Sequence, residues 1–587
     1  MDFEEIKKME PDAVLKTVDM SGEQVDVVML PMMKPATQEE LDAMTPEERE
    51  THGFMGPLNT HTYLAAPGIE CMQDTPVKMR DGVTIYVDIY KPVNSGPVPL
   101  IISWSFYGKR PFDGQAEWQI MGVPPATVSN MSKFESPDPG FWCYNGYAVA
   151  NVDPRGIGHS EGDFIQFGTQ DGKDGYDFIE WAAEQEWCNG KCALAGNSCV
   201  AMTQYRIASQ QPPHLACLAP WEGTSDMYRE SLYEGGIPAT SFVKMVAKEA
   251  VGPNYMDATY LNALLYPDIN VPYWKDKDPI WKNINQPIYL TTCWNHFHNR
   301  GSINAFRKVK SRKKWLRAHR NFEWPDAYDP INLADLKRFF DRYCKEINNG
   351  WEMTPKVRLE VMDTGIFNYQ TNRPEESFPL KRTEYKKLYL NASDGSMSPE
   401  KPERESVASY DGPTEEATFD YYFPEDTEIT GYMKLHMWVA AEEFDDVDLF
   451  VNIQKLSTTG EFLPVDLFGE PHPGAWGKMR VSRRKLDEEL STDYNPVQAH
   501  TETQKLKPGE IVPVEIEINP TSRFWHKGQA IRVQVAGRYI RENWFEPLMW
   551  ESENKGNTLI YTGGEYDSYL QIPSIPPRFQ DGDIIIR

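Results

Sequence analysis

Between about residues 75 and 220 the chain alternates short apolar runs with amphipathic stretches. The runs 98–105, 147–152, 192–195 and 215–218 are almost continuously apolar, which predicts strands buried on both faces. Residues 83–90 follow the turn Arg80-Asp81-Gly82 and predict another strand. Over 172–186, Phe178, Ile179, Trp181 and Ala182 recur on one face, which predicts a helix. Strands and helices in alternation predict a mostly parallel sheet covered on both sides. The alternation stops at 221–284, a stretch rich in Tyr, Met and Glu, and a helical cap inserted above the strand ends is the expectation. Strands return at 288–292 and 315–318 with a helix at 303–309 between them, and 333–347 reads as an amphipathic helix. Beyond 355 the period changes to two, as at 428–439, 448–454, 511–518 and 530–536, which predicts a β-sandwich or jelly roll.

The pattern divides the chain into an N-terminal extension over 1–75, an α/β domain over 76–354 and a C-terminal β domain over 355–587. Within the extension, 37–50 is acidic and helix-prone, with Thr45-Pro46 as a helix start. A length of 587 residues is too great for one core and fits such a division.

Charge narrows the partners. A net charge of −27 argues against nucleic acid and anionic membrane surfaces. No apolar run approaches the roughly 20 residues of a membrane span. The start Met1-Asp2-Phe3-Glu4-Glu5 is acidic and lacks the apolar segment of a secretory signal. The 8 cysteines are scattered and form no paired C-x-x-C units, so free buried thiols in a reducing cytoplasm are expected rather than a structural zinc site. The 17 Trp and 29 Tyr suit an aromatic cleft, but a core of this size accounts for them as well.

The chemistry concentrates at Gly196-Asn197-Ser198. An apolar strand at 192–195 meets this turn, and a helix is predicted from about 200 to 209. A serine on a sharp strand-to-helix turn is held exposed above a sheet, and the following amide stabilises a developing oxyanion. Gly196 fits because such a turn leaves no room for a Cβ two residues before the serine.

Several motifs resemble one family. Ser103-Trp104-Ser105-Phe106-Tyr107-Gly108-Lys109 is similar to its Pro-Tyr-Gly-Lys segment, and 151–162 (NVDPRGIGHSEG) to its Asp-x-Arg-Gly-x-Gly-x-Ser-x-Gly stretch. Residues 187–201 are similar to its Trp-Cys-x-Gly run followed by Gly-x-Ser-Tyr-x-Gly, and 520–536 to a strand pair of its C-terminal domain. Over roughly 75–587 the chain resembles the cocaine esterase / X-prolyl dipeptidyl peptidase group, the CocE/NonD or S15-like serine hydrolases. The resemblance implies an α/β-hydrolase domain with a cap and a C-terminal jelly roll. It implies Ser198 as nucleophile, with the Cys199 amide and the Tyr107 hydroxyl as the oxyanion hole. The place of Tyr107 after an apolar strand agrees. Asp153 and Arg155 are read as a structural pair pinning the active-site floor.

The chain departs from the family at two places. Gly-Trp-Tyr-Asp, which carries the triad acid, is replaced by Cys293-Trp294-Asn295-His296. Gly-Pro-Trp-x-His is replaced by 317–326, where the expected histidine falls near Phe322 and His319 lies three residues earlier. His319 follows an apolar strand and is the first choice of base. Glu323 or Asp326 would orient it, or Asn295 or His296 would replace the missing acid. His296, His298 and His159 stand next as bases. His296, His298 and His319 offer nitrogens to a metal, but no adjacent acidic ligand is evident, so neither metal nor cofactor is expected. Trp221, Glu222 and Trp294 are assigned to substrate contact, with Asp226 as a helix cap.

The expected activity is cleavage of an ester, in preference to an amide, of a medium-sized and mostly apolar small molecule through an acyl-enzyme. The alternative is isomerase, lyase or cyclase chemistry in the same oxyanion hole, prompted by the missing acid. A carbohydrate-binding module comes third, because Gly196, Ser198 and Tyr107 are all present. Oligomeric state is left open, a homo-oligomer included.

Overall fold

The computed structural model describes the chain except residues 46–55, 111–121, 125–126, 248–249, 468, 541–551 and 578–587. The helix start at Thr45-Pro46 runs into residues outside that set; the described helix there is Gln38–Ala43, capped by Thr37.

One large sheet organises the first part. Its strands lie in the order His61–Ala66, Ile69–Lys78, Thr84–Pro92, Ala148–Asp153, Val98–Trp104, Cys188–Asn197, Leu215–Trp221, Ile288–Cys293, Lys314–His319, Val357–Met362 and Asn368–Glu375. From Ala148–Asp153 to Val357–Met362 all neighbours are parallel, and the four continuously apolar runs fall in Ala148–Asp153, Val98–Trp104, Cys188–Asn197 and Leu215–Trp221. The boundary near 75 falls inside Ile69–Lys78, because buried Ile69 and Cys71 already belong to this sheet. Thr169–Ala183 and Cys199–Ser209 cover one face, where Phe178, Ile179, Tyr205 and Ile207 pack on Leu100, Ile102 and Leu194. Pro330–Cys344 covers the other with Phe339 and Phe340 against Trp142 and Trp315.

Strand order reverses between Val98–Trp104 and Cys188–Asn197. In open parallel sheets the carboxyl ends at such a reversal open a crevice. Tyr107 follows one of these two strands and Ser198 immediately follows the other.

The N-terminal hairpin Val14–Met20 and Glu23–Pro31 pairs with Tyr255–Asp257, within the stretch expected to form a cap. That stretch contains the short helices Ser241–Ala247, Thr259–Leu265 and Pro272–Lys277. Asp226 Oδ1 accepts from the amides of Tyr228 and Arg229 at 3.0 Å and caps the turn Tyr228–Leu232.

The C-terminal part is a β-sandwich. Thr427–Ala441 pairs antiparallel with Val512–Trp525 in one sheet. Glu416–Tyr422, Ala530–Ala536, Asp448–Leu456 and Ala475–Arg480 form the other. Leu435, Met437, Val439, Ile453, Ile516 and Val533 fill the space between them, as period-two alternation requires.

Candidate active site

The turn after Cys188–Asn197 holds Ser198 at φ +50° and ψ −116°, a left-sided conformation that costs a non-glycine residue about 1–3 kcal/mol. Its surroundings hold it there. The Ser198 amide donates to the Glu222 carbonyl at 2.8 Å, and its carbonyl accepts from Ala201 and Met202 at 2.9 Å in the first turn of Cys199–Ser209. Gly196 sits at φ +141°, and a Cβ there would lie 2.6 Å from Val200 Cβ and 2.9 Å from the Glu135 carbonyl. The side chain of Ser198 is thereby fixed on the turn between strand and helix.

Ser198 Oγ stands 3.0 Å from His298 Nε2. His298 immediately precedes the helix Asn299–Lys308, whose start is locked on two sides. Asn299 Nδ2 donates to the carbonyls of Trp294 at 2.8 Å and Pro520 at 2.7 Å. Ser302 Oγ accepts from the Gly223 amide at 3.0 Å, and Gly301 lies so close to the 223–224 turn that a Cβ would be 2.6 Å from the Gly223 carbonyl. On its other edge, His298 Nδ1 lies 3.3 Å from Thr224 Oγ1. Burial, and then neighbouring His296, hold His298 well below the ordinary histidine range, so its ring is neutral.

Beside this pair lies a buried cluster of histidines and carboxylates. His296 Nδ1 is 3.4 Å from Glu222 Oε2 and 3.5 Å from Glu323 Oε2. His319 Nε2 is 3.1 Å from Glu222 Oε1 and 3.3 Å from Asp326 Oδ2, and its Nδ1 is 3.0 Å from the Asn321 carbonyl. Burial alone would lower His319, but Asp326 and Glu222 outweigh it and hold the ring above its ordinary range. Burial likewise opposes ionisation of Glu222, and His296 and His319 overcome it. Glu323 is pushed well above the carboxylate range by burial, then by Glu135 and Glu222.

An aromatic wall borders the cluster. Tyr107 and Phe134 meet edge-on with centroids 5.0 Å apart, Phe134 and Trp324 at 5.7 Å, Trp324 and Phe322 at 4.8 Å, and Phe322 and His296 at 4.8 Å. Tyr107 and Cys199 share one hydrophobic cluster next to the elbow.

The structure redistributes several sequence-based assignments. His319, the first choice of base, has its ring nitrogens on Glu222, Asp326 and Asn321, and the nitrogen at hydrogen-bonding distance from Ser198 belongs to His298. The reason is the loop after Ile288–Cys293, which turns into a helix whose first turn faces the elbow. Asp326 also forms an ion pair with Arg317, so it orients His319 and not the residue on the serine. Trp294 is fully buried, packs on Phe378 and donates from Nε1 to the Glu360 carbonyl, so it lies in the core and not at a substrate. Trp221 packs edge-on against Tyr328 beneath the sheet ends. Glu222 faces two histidines, and Asn295 donates to Met362 Sδ at 3.3 Å instead of orienting a ring. Asp153 pairs with Lys109, and Arg155 with Asp174 and Asp81, so these two serve separate links. The signal for His298 was its place five residues beyond a parallel strand, in the segment that differs from the family at the acid.

The model of the X-Pro dipeptidyl-peptidase (S15) family matches residues 81–253, and that of the X-Pro dipeptidyl-peptidase C-terminal non-catalytic domain matches 349–571. A cocaine esterase from Rhodococcus sp. (strain MB1 Bresler) is 28% identical over 377 residues, 54% of this chain and 62% of that protein. The chain thus matches less than two thirds of that relative's length. A CocE/NonD family hydrolase from Staphylococcus aureus is 37% identical with a TM-score of 0.82, covering 86% of this chain and 94% of the other. An α-amino acid ester hydrolase shares the fold at 15% identity and a TM-score of 0.65, over 90% of this chain and 100% of the other. With the family's α/β sheet, its C-terminal β-sandwich and a serine on the strand-to-helix elbow, the chain belongs to the CocE/NonD hydrolases.

Proposed function

We propose that this hydrolase is an esterase that works through Ser198 and His298. The observation that carries the reading is the 3.0 Å approach of Ser198 Oγ to a neutral, buried His298 Nε2 at the crevice of the sheet. His298 accepts the hydroxyl proton as Ser198 Oγ bonds to the substrate carbonyl carbon. The carbonyl oxygen gathers negative charge opposite the Cys199 amide and the Tyr107 hydroxyl. Collapse expels the alcohol, which takes the proton back from His298. Water, deprotonated by the same ring, then releases the acid from the acyl-enzyme.

The environment of His298 Nδ1 favours esters over amides. Thr224 Oγ1 holds the ring's orientation, but a hydroxyl stabilises the imidazolium less than a carboxylate does. The base is therefore weakly supported, and an alkoxide leaves with less acid assistance than an amine. The aromatic wall from Tyr107 to Phe322 supports a mostly apolar acyl group. All 8 cysteines are free and buried, which supports a reducing, cytoplasmic setting. Among the described residues no helix is long and apolar enough to cross a membrane.

A panel of activated esters and matched amides tests the reading. Burst release from the esters and slower turnover of the amides is expected. Turnover of neither, or preference for the amides, would overturn it.

A further inference from the structure

The cluster next to the nucleophile contains what the sequence alone lacked, an acidic ligand for its histidines. Glu323 opens the helix Glu323–Ala327, which follows the neighbouring strand Lys314–His319, so linear spacing does not reveal it. One ligand atom each from His296, His298 and Glu323 lies within 4.8 Å of the others, and all three side chains are buried. His296 Nδ1 stands 3.5 Å from Glu323 Oε2, outside the ~2.7–3.2 Å range of an N–H···O bond. Glu222 Oε2 stands 3.4 Å from the same nitrogen. Both spacings match the ligand-to-ligand edge of about 3.4 Å in a tetrahedron whose metal bonds are about 2.0–2.1 Å. Glu323 is 3% exposed, and its Oε2 accepts no hydrogen bond among the described residues. A buried carboxylate oxygen without a donor calls for a cation or a proton.

We propose that His296, His298 and Glu323 form a buried site for a divalent transition-metal ion of the zinc class, set against the nucleophile. Two imidazoles and a carboxylate are the donor set that Zn²⁺ prefers, whereas Ca²⁺ and Mg²⁺ select oxygen ligands. Glu222 is placed to take the fourth position or to hold a water there. The widest ligand gap closes by about 1.4 Å on binding, within the reach of side-chain rotation. His298 also carries the hydrogen bond to Ser198, so an ion on its ring competes with the serine proton. The metal thus restrains the nucleophile. This consequence rests on the proposed role of His298; binding itself does not.

The test uses the full chain, stripped with chelator, incubated with Zn²⁺ alone, desalted and analysed for metal. Wild type and Ser198→Ala should each retain a single zinc ion, so the site is judged independently of serine reactivity. Glu323→Gln and His296→Gln, folded by circular dichroism, should bind at least about tenfold more weakly. No zinc on the wild type, or undiminished binding in both variants, overturns the site. Zinc should also slow fluorophosphonate labelling of the wild type by about tenfold or more and leave the rate of Glu323→Gln at its own zinc-free value. Loaded wild type that labels at the unloaded rate overturns the restraint on the nucleophile.

Discussion

Glu222 and His319 form a buried pair, Oε1 to Nε2 at 3.1 Å, while the nitrogen on Ser198 Oγ is that of His298. Asp326 flanks the same nitrogen at 3.3 Å. His319→Gln is therefore expected to act on stability first. Asp326 keeps Arg317 and Glu222 keeps His296 as neighbours, so losing the charged contact to His319 costs about 1.5–3 kcal/mol. The folded ring sits above its ordinary range, so its contribution is fully present below the unfolded value of about 6.5 and is lost as pH rises through the folded value. Denaturant melts of wild type and variant should differ most on the acid side and converge as pH rises. A gap that widens with pH would refute this assignment.

Arg300 Nη1 donates to Glu517 Oε2 at 2.9 Å and joins the helix after His298 to a strand of the β-sandwich. Both groups are buried, so Arg300→Met strands a carboxylate and should cost about 3–5 kcal/mol. Adding Glu517→Leu should recover most of that loss in thermal melts. If the double variant is no better than the single one, the ion pair is not what links the two parts.

How much of this was legible in the sequence depends on range. The elbow is local, since an apolar strand, Gly196, Ser198 and a helix follow one another within a few residues. The continuous apolar runs foretold the parallel strands, and period-two alternation foretold the sandwich, because burial on two faces or one is written residue by residue. The partner of Ser198 is not local. His298 is 100 positions away and reaches the serine through the pairing of Gly223 with Ser302 and of Asn299 with Pro520. A histidine at or just beyond an apolar strand was the right kind of clue, but two strands offer one, and only packing separates His319 from His298. Trp294 read as a substrate contact because its neighbours carry chemistry, yet its indole points into the core.

Gly196 tests the elbow sterically. Gly196→Ala places a methyl against Val200 and the Glu135 carbonyl at a φ of +141°, which L side chains resist. A loss of about 2–3 kcal/mol in chemical unfolding, with much reduced activity, is the expected outcome. Unchanged stability would mean that the turn is looser than described.

Tyr107 tests the oxyanion assignment. Tyr107→Phe keeps the ring against Phe106 and Phe134 and removes only the hydroxyl. A drop in kcat of about 100-fold with little change in KM is expected for a donor that acts in the transition state. An unchanged kcat would assign that hydroxyl to packing alone.

The most direct measurement is the rate of fluorophosphonate labelling, read by intact mass, for wild type, Ser198→Ala, His298→Ala and His319→Gln. The 3.0 Å contact predicts one adduct on the wild type, none on Ser198→Ala and a rate at least about 100-fold lower for His298→Ala. Folded His319→Gln should label within a few-fold of the wild type. Labelling that survives His298→Ala and disappears with His319→Gln would contradict the account and restore His319 as the base.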